Sequence, residues 1–76
     1  MAKARLDDFR ELLKTHDITA RARLGIRQTD GHKHQLVCWP NVGCAPFSVV
    51  TYRSREALVR RLKSYECVLR EYITNL

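Results

Sequence analysis

The chain has 76 residues, with 14 lysines and arginines against 8 aspartates and glutamates, which gives a net charge of +6. This length allows one domain over residues 1–76, and a hydrophobic fraction of 45% is too high for a disordered chain. No apolar stretch is long enough for a signal peptide or a membrane span, and three cysteines are an odd number for a disulfide framework. We therefore expect a cytoplasmic protein with no membrane partner.

The first predicted element is a helix over residues 2–16. Leu6, Phe9, Leu12 and Leu13 recur at helical spacing and form one apolar stripe. Polar and charged residues fill the other positions of the helix.

From Thr19 onward the period of the pattern changes from about four to two, which predicts a strand that ends at Arg27. One face of this strand carries Ala20, Ala22, Leu24 and Ile26, and the other carries Arg21, Arg23, Gly25 and Arg27. The pair Asp30–Gly31 is typical of a two-residue hairpin turn, so a second strand is expected from His32 to Trp39.

A two-residue loop at Asp30 and Gly31 predicts the register of this hairpin. The apolar face then pairs Leu24 with Val37, Ala22 with Trp39 and Ile26 with Gln35, and the polar face pairs Arg27 with His34, Arg23 with Cys38 and Gly25 with Leu36. This register collects the arginines and histidines on one side of the sheet, since neighbouring residues of a strand point to opposite faces.

The second half of the chain predicts a loop, a third strand and a long helix. The loop is PNVGCAP, the strand is Phe47–Tyr52, and Ser54 is the expected N-cap of the helix. The helix carries an apolar seam at Leu58, Leu62, Tyr65, Leu69, Tyr72 and Leu76. We expect the end of this seam to fold back onto the first helix. The alternative is a homodimer through the C-terminal helix.

These elements predict an α+β domain of order α-β-β-β-α. Its three-stranded antiparallel sheet would have both helices on one face and an open basic face.

The candidate binding residues form two groups. They are Arg21, Arg23, Arg27, Lys33 and His34 on the predicted open face, and Arg53, Arg55, Arg60 and Arg61 around the start of the last helix. Arginines in this pattern can bind phosphate through forked hydrogen bonds. The alternative interpretation for both groups is an ordinary solvated surface.

Two histidines and two cysteines carry side-chain atoms that can coordinate a metal ion. They are His32, His34, Cys38 and Cys44, but their spacing is not that of a zinc finger or knuckle. The sequence also lacks a glycine-rich phosphate loop, a nucleophile elbow and paired carboxylates. We therefore expect no metal, no cofactor and no enzymatic activity.

The predicted order of elements resembles that of double-stranded-RNA-binding domains. The segment YRSREALVRR, with Arg53, Arg55, Arg60 and Arg61, is loosely similar to the basic motif at the start of their last helix. The loop TDGH departs from their pattern, which contains Gly-Pro and a histidine, so the resemblance is one of topology and does not imply membership.

Two functional hypotheses follow. The first is a small non-enzymatic module that associates with nucleic acid phosphate through the arginine-rich sheet face. The alternative is a regulator or inhibitor, of the kind found in bacteriophages and mobile elements, that docks on an acidic surface of a host protein with Leu36 and the C-terminal apolar residues as anchors. Aromatic side chains on the basic face would favour single-stranded nucleic acid. The sequence assigns none there, and Phe47 or Tyr52 qualifies only if its face of the third strand is the exposed one.

Overall fold

The order of the secondary-structure elements agrees with the prediction. The computed structural model describes residues 2–76, with side chains from Leu6 onward. The elements are α1 (Ala2–Thr15), β1 (Arg23–Gln28), β2 (His34–Trp39), β3 (Phe47–Tyr52) and α2 (Arg55–Thr74). The strands form one antiparallel sheet in the order β1-β2-β3.

Both helices cover the same face of the sheet, as predicted. Phe9 of α1 and Leu58 and Tyr65 of α2 are buried in one cluster with Leu36 and Cys38 of β2. The rings of Phe9 and Tyr65 meet edge to face, with centroids 5.5 Å apart. This helix-side core leaves the opposite face of the sheet without a covering layer among the described residues.

Helix α2 begins where its sequence predicts. The Oγ atom of Ser54 accepts a hydrogen bond from the Ala57 backbone N–H at 3.3 Å, which satisfies one free donor of the first turn. At the other end, Tyr72 and Ile73 pack against the core, whereas Leu76 is 65% exposed. The apolar seam therefore folds back as far as Tyr72, with Ile73 beside it, and the homodimer stays the alternative prediction.

The register of the first hairpin differs from the prediction by one residue. Its loop has three residues, Asp30, Gly31 and His32, and it is closed by a hydrogen bond from the Thr29 N–H to the Lys33 carbonyl oxygen at 2.8 Å. Gly31 and His32 both have positive φ, 81° and 63°. Histidine is among the residues that adopt such a conformation more often than most non-glycine residues.

The longer loop reverses the two faces of β2 relative to the prediction. Observed pairs include Arg23 with Trp39, Leu24 with Cys38, Gly25 with Val37, Ile26 with Leu36, Arg27 with Gln35 and Gln28 with His34. Leu36 and Cys38 therefore belong to the core, and His34 lies on their side of the sheet, not opposite Arg27. The predicted use of Leu36 as an exposed anchor is wrong, since this side chain is fully buried.

The segment before β1 also differs from the prediction, because the strand starts at Arg23 rather than near Thr19. Residues 19–22 form a turn in which the Ala22 N–H donates to the Thr19 carbonyl oxygen at 3.0 Å. Arg21 is exposed in this turn and is not part of the strand.

Strand β3 has the predicted bounds and contains a β-bulge. Its pairing with β2 shifts between Leu36 and Val37, so that Leu36 pairs with Val50 and Val37 pairs with Ser48. The extra residue, Val49, packs on the core together with Val50. The bulge thus allows two consecutive valines to contribute to the helix-side core.

Candidate functional site

The open face of the sheet carries positive charge without an acidic side chain. It consists of Arg23, Gly25 and Arg27 of β1, Gln35, Val37 and Trp39 of β2, and Ser48 and Thr51 of β3. The three strands contain no aspartate or glutamate. The two arginine charges on this face are therefore not neutralised within the sheet.

A tryptophan lies across one end of the open face. The six-membered ring of Trp39 rests against Gly25, so closely that a Cβ atom at Gly25 would lie 2.5 Å from Cζ3 and 3.0 Å from Cη2 of the indole. Gly25 pairs with Val37, which is fully buried although it is not part of the helix-side core. Trp39 and Val37 are therefore the apolar side chains of a face that is otherwise polar, and only the indole of the two is partly exposed.

Arg23 and Trp39 form a cation–π pair. The guanidinium carbon of Arg23 is 5.2 Å from the ring centroid of Trp39, its partner on the neighbouring strand. The guanidinium of the arginine thus lies over the aromatic ring.

The other end of the open face is held by a chain of polar side chains. Arg27 donates from Nε to Oε1 of Gln35 at 2.8 Å, and Gln35 donates from Nε2 to Oγ1 of Thr51 at 3.3 Å. These two bonds cross all three strands. They orient Arg27 through Nε, so that its terminal nitrogens are available to an anionic ligand.

A cleft of about 310 Å³ adjoins the tryptophan, lined by Arg21, Arg23, Trp39, Asn41, Val42 and Gly43. Thr19 connects the two sides of this cleft. Its backbone N–H donates to the Pro40 carbonyl oxygen at 3.0 Å, and its Oγ1 lies 3.2 Å from Oδ1 of Asn41 and accepts from the Arg21 N–H at 3.1 Å. These bonds hold the turn of Arg21 against the loop that follows β2.

The structure brings together only part of the predicted binding set. Arg23 and Arg27 share the open face, and Arg21 lies at its end beside the cleft. Lys33 is exposed in the hairpin loop, and His34 is half-buried on the helix side. Arg53, Arg55, Arg60 and Arg61 are exposed around the start of α2, which packs on the opposite face of the sheet.

The structure separates the histidines and cysteines that have the ligand atoms of a metal site. Within residues 2–76, no group of three or more histidine, cysteine or acidic side chains is placed to hold a metal ion. Cys38 lies in the core, where burial raises the pKa of its thiol from 9.0 to about 11. Cys44 is exposed in the loop after β2, and His32 lies in the hairpin loop at the other end of that strand.

Sequence reasoning missed Trp39 as a member of the open face, because the predicted register assigned it to the core. The sequence contained one indication that a bulky side chain approaches the backbone on this face. A glycine inside a strand often marks a place where another group approaches the backbone closely, and Gly25 is the only glycine within the predicted strands.

Comparisons with protein-family models, with curated proteins and with solved structures found no match for this chain. The likeness to double-stranded-RNA-binding domains therefore rests on the order of the elements alone. Neither described helix has the length and apolar character needed to span a lipid bilayer.

Proposed function

We propose that the chain is a small nucleic-acid-binding module that contacts phosphate through its open sheet face. The observation that carries this proposal is the combination of Arg23 and Arg27 on a face without acidic side chains. Unneutralised arginines attract polyanions, and their planar guanidinium groups suit phosphate oxygens. Arg21 would add a third contact at the end of the face.

Salt dependence tests this proposal quantitatively. Three phosphate contacts release about three counterions, so the logarithm of the binding constant should fall with the logarithm of salt concentration with a slope of about −2 to −3. Fluorescence anisotropy with labelled single-stranded and duplex oligonucleotides, measured between about 50 and 200 mM salt, gives this slope.

A pair of charge-reversal variants locates the surface. Arg23→Glu with Arg27→Glu should abolish binding at all of these salt concentrations, while the far-UV circular dichroism of the protein stays unchanged. Lys14→Glu with Lys63→Glu is the matched control, because both residues are exposed on the helices, on the other side of the sheet, and the change in net charge is the same. Equal losses in the two variants would show only a general charge effect and would remove the sheet face from the proposal.

A second candidate function is docking on an acidic protein surface, and one observation favours it. Val42 is 70% exposed beside Arg21 and Trp39, which gives an apolar and basic patch. Tryptophan and arginine are also the residues that most often dominate protein interfaces. A tagged pull-down split into nuclease-treated and untreated halves separates the two functions. A discrete protein that survives nuclease and is lost with the Arg23→Glu and Arg27→Glu changes would support docking.

A further inference from the structure

The cleft beside Trp39 offers more kinds of contact than phosphate binding requires. Phosphate contacts alone require exposed cations, whereas this cleft combines an aromatic wall, two arginines and a polar amide in about 310 Å³. That volume is at the lower end of the range of about 300–1,000 Å³ found for small-molecule sites. A cleft of this volume can hold one planar group of modest size.

The walls of the cleft are held in place before any ligand arrives. The indole is seated on Gly25 and lies beside the fully buried Val37, so it has little room to turn toward the sheet. The opposite wall is fixed by the bonds of Thr19 to Pro40 and Asn41. A preorganised site loses less conformational entropy when it binds.

The chemistry of the walls matches a nucleobase. Because the Arg23 guanidinium lies over the indole and the ring rests against Gly25, a base would stack on the outer plane of the guanidinium or take its place on the indole. Oδ1 of Asn41 accepts a hydrogen bond from the Val42 N–H at 2.8 Å, which leaves the Nδ2 group of Asn41 to donate toward the edge of a base. Arg21 lines the same cleft and can contact a phosphate of the same nucleotide.

We propose that this cleft holds an unpaired nucleobase and that the nucleic acid bound by the open face is single-stranded. The inference rests on the proposed function, because the arginines of the face must hold the backbone on either side of that base. In a duplex both faces of each internal base are covered by its neighbours, so a base reaches an aromatic side chain only where the strand is unpaired.

The first test uses the unmodified protein and three labelled probes of equal length: a single-stranded oligothymidylate, the same backbone with abasic residues, and a duplex. Stacking of one base on an aromatic side chain corresponds to about 5- to 150-fold in affinity. We expect the oligothymidylate to bind at least about fivefold more tightly than the abasic strand at the same salt concentration. Trp39 is the only tryptophan in the chain, so its fluorescence should be quenched by the oligothymidylate and not by the abasic strand.

Two variants then assign the effect to the indole. Trp39→Leu keeps an apolar side chain on this face but removes the ring, and it should reduce binding of the oligothymidylate to the level of the abasic strand. Trp39→Phe keeps a ring and should retain part of the preference. The Arg27→Glu variant, which leaves the lining of the cleft unchanged, should weaken both strands alike.

The outcomes separate this inference from the proposed function. Equal affinity for the oligothymidylate and the abasic strand would overturn the base site but not the proposal of phosphate binding. Binding of the duplex as tightly as the single strand would also overturn the base site. Absence of binding to all three probes at low salt would overturn the proposed function and the base site together.

Discussion

The contact between Trp39 and Gly25 can be tested by adding a single methyl group. In Gly25→Ala the new Cβ would lie 2.5 Å from Cζ3 of the indole, about 0.9 Å short of ordinary contact, which begins near 3.4 Å. The indole must therefore move. Overpacking of this kind costs about 1–3 kcal/mol, and the lower end applies because Trp39 is only half-buried.

The same substitution also contributes favourably to the free energy of unfolding. Alanine is more favourable than glycine within a strand by about 0.5–1 kcal/mol, and Gly25 does not have the positive φ that would oppose alanine. The cost of about 1 kcal/mol less this gain leaves a net loss of up to about 0.5 kcal/mol in the free energy of unfolding when Trp39 is present. In a Trp39→Ala background the clash is absent, so the same change should stabilise the protein by about 0.5–1 kcal/mol.

A double-mutant cycle measures this reversal of sign. Urea unfolding followed by far-UV circular dichroism gives the free energies of the four proteins, since the signal does not depend on tryptophan. Gly31→Ala is the control. Gly31 has a φ of 81°, and no atom lies within 4 Å of the place its added methyl group would take, so its cost should be the same in both backgrounds. If Gly25→Ala stabilises both backgrounds equally, the indole does not rest on Gly25.

Four further predictions concern the core, the helix cap and the cysteines. Leu36→Ala should lower the free energy of unfolding by about 2–5 kcal/mol in urea titrations, because Leu36 is fully buried, and a loss below about 1 kcal/mol would favour the alternative register. Ser54→Ala should cost about 1 kcal/mol in the same assay, whereas Ser54→Asp should not, since aspartate also caps helices. In the native state an alkylating reagent should modify Cys44 and Cys67 but not Cys38. The folded protein keeps the Cys38 proton that the unfolded chain releases between pH 9.0 and about 11. The free energy of unfolding should therefore be retained below pH 9 and fall by about 2–3 kcal/mol across this interval, relative to that of the Cys38→Ala variant. Parallel pH profiles of unfolding for the two proteins would contradict this prediction.

Local patterns in the sequence were sufficient to predict most elements of the fold. Strand β3 has the bounds that its β-branched and aromatic residues predict, and α2 begins after Ser54 because a serine side chain satisfies a donor of the first turn. The apolar stripe of α1 correctly indicated Phe9 and Leu13 as core residues. Each of these features depends on neighbours within a few positions of the chain.

The pairing of β1 with β2 could not be chosen from the hydrophobic pattern. Residues 36–39 of β2 are all apolar, so either register places apolar side chains on both faces of the sheet. The choice depends instead on the length of the hairpin loop, in which His32 adopts a positive φ that the sequence does not indicate. The one-residue error removed Trp39 from the candidate site and added His34 to it, while the arginines of β1 kept their predicted face.

The sheet has two outer strands, and the free edge of β1 affects how copies of the protein meet. An unpaired edge is a template for another strand, and proteins commonly protect such edges with charged side chains. If two copies paired through β1, the side chains of Arg23 and Arg27 from both would stand on one continuous face, where four like charges repel one another. The arginines of β1 thus oppose self-association through this edge, whatever ligand the face binds.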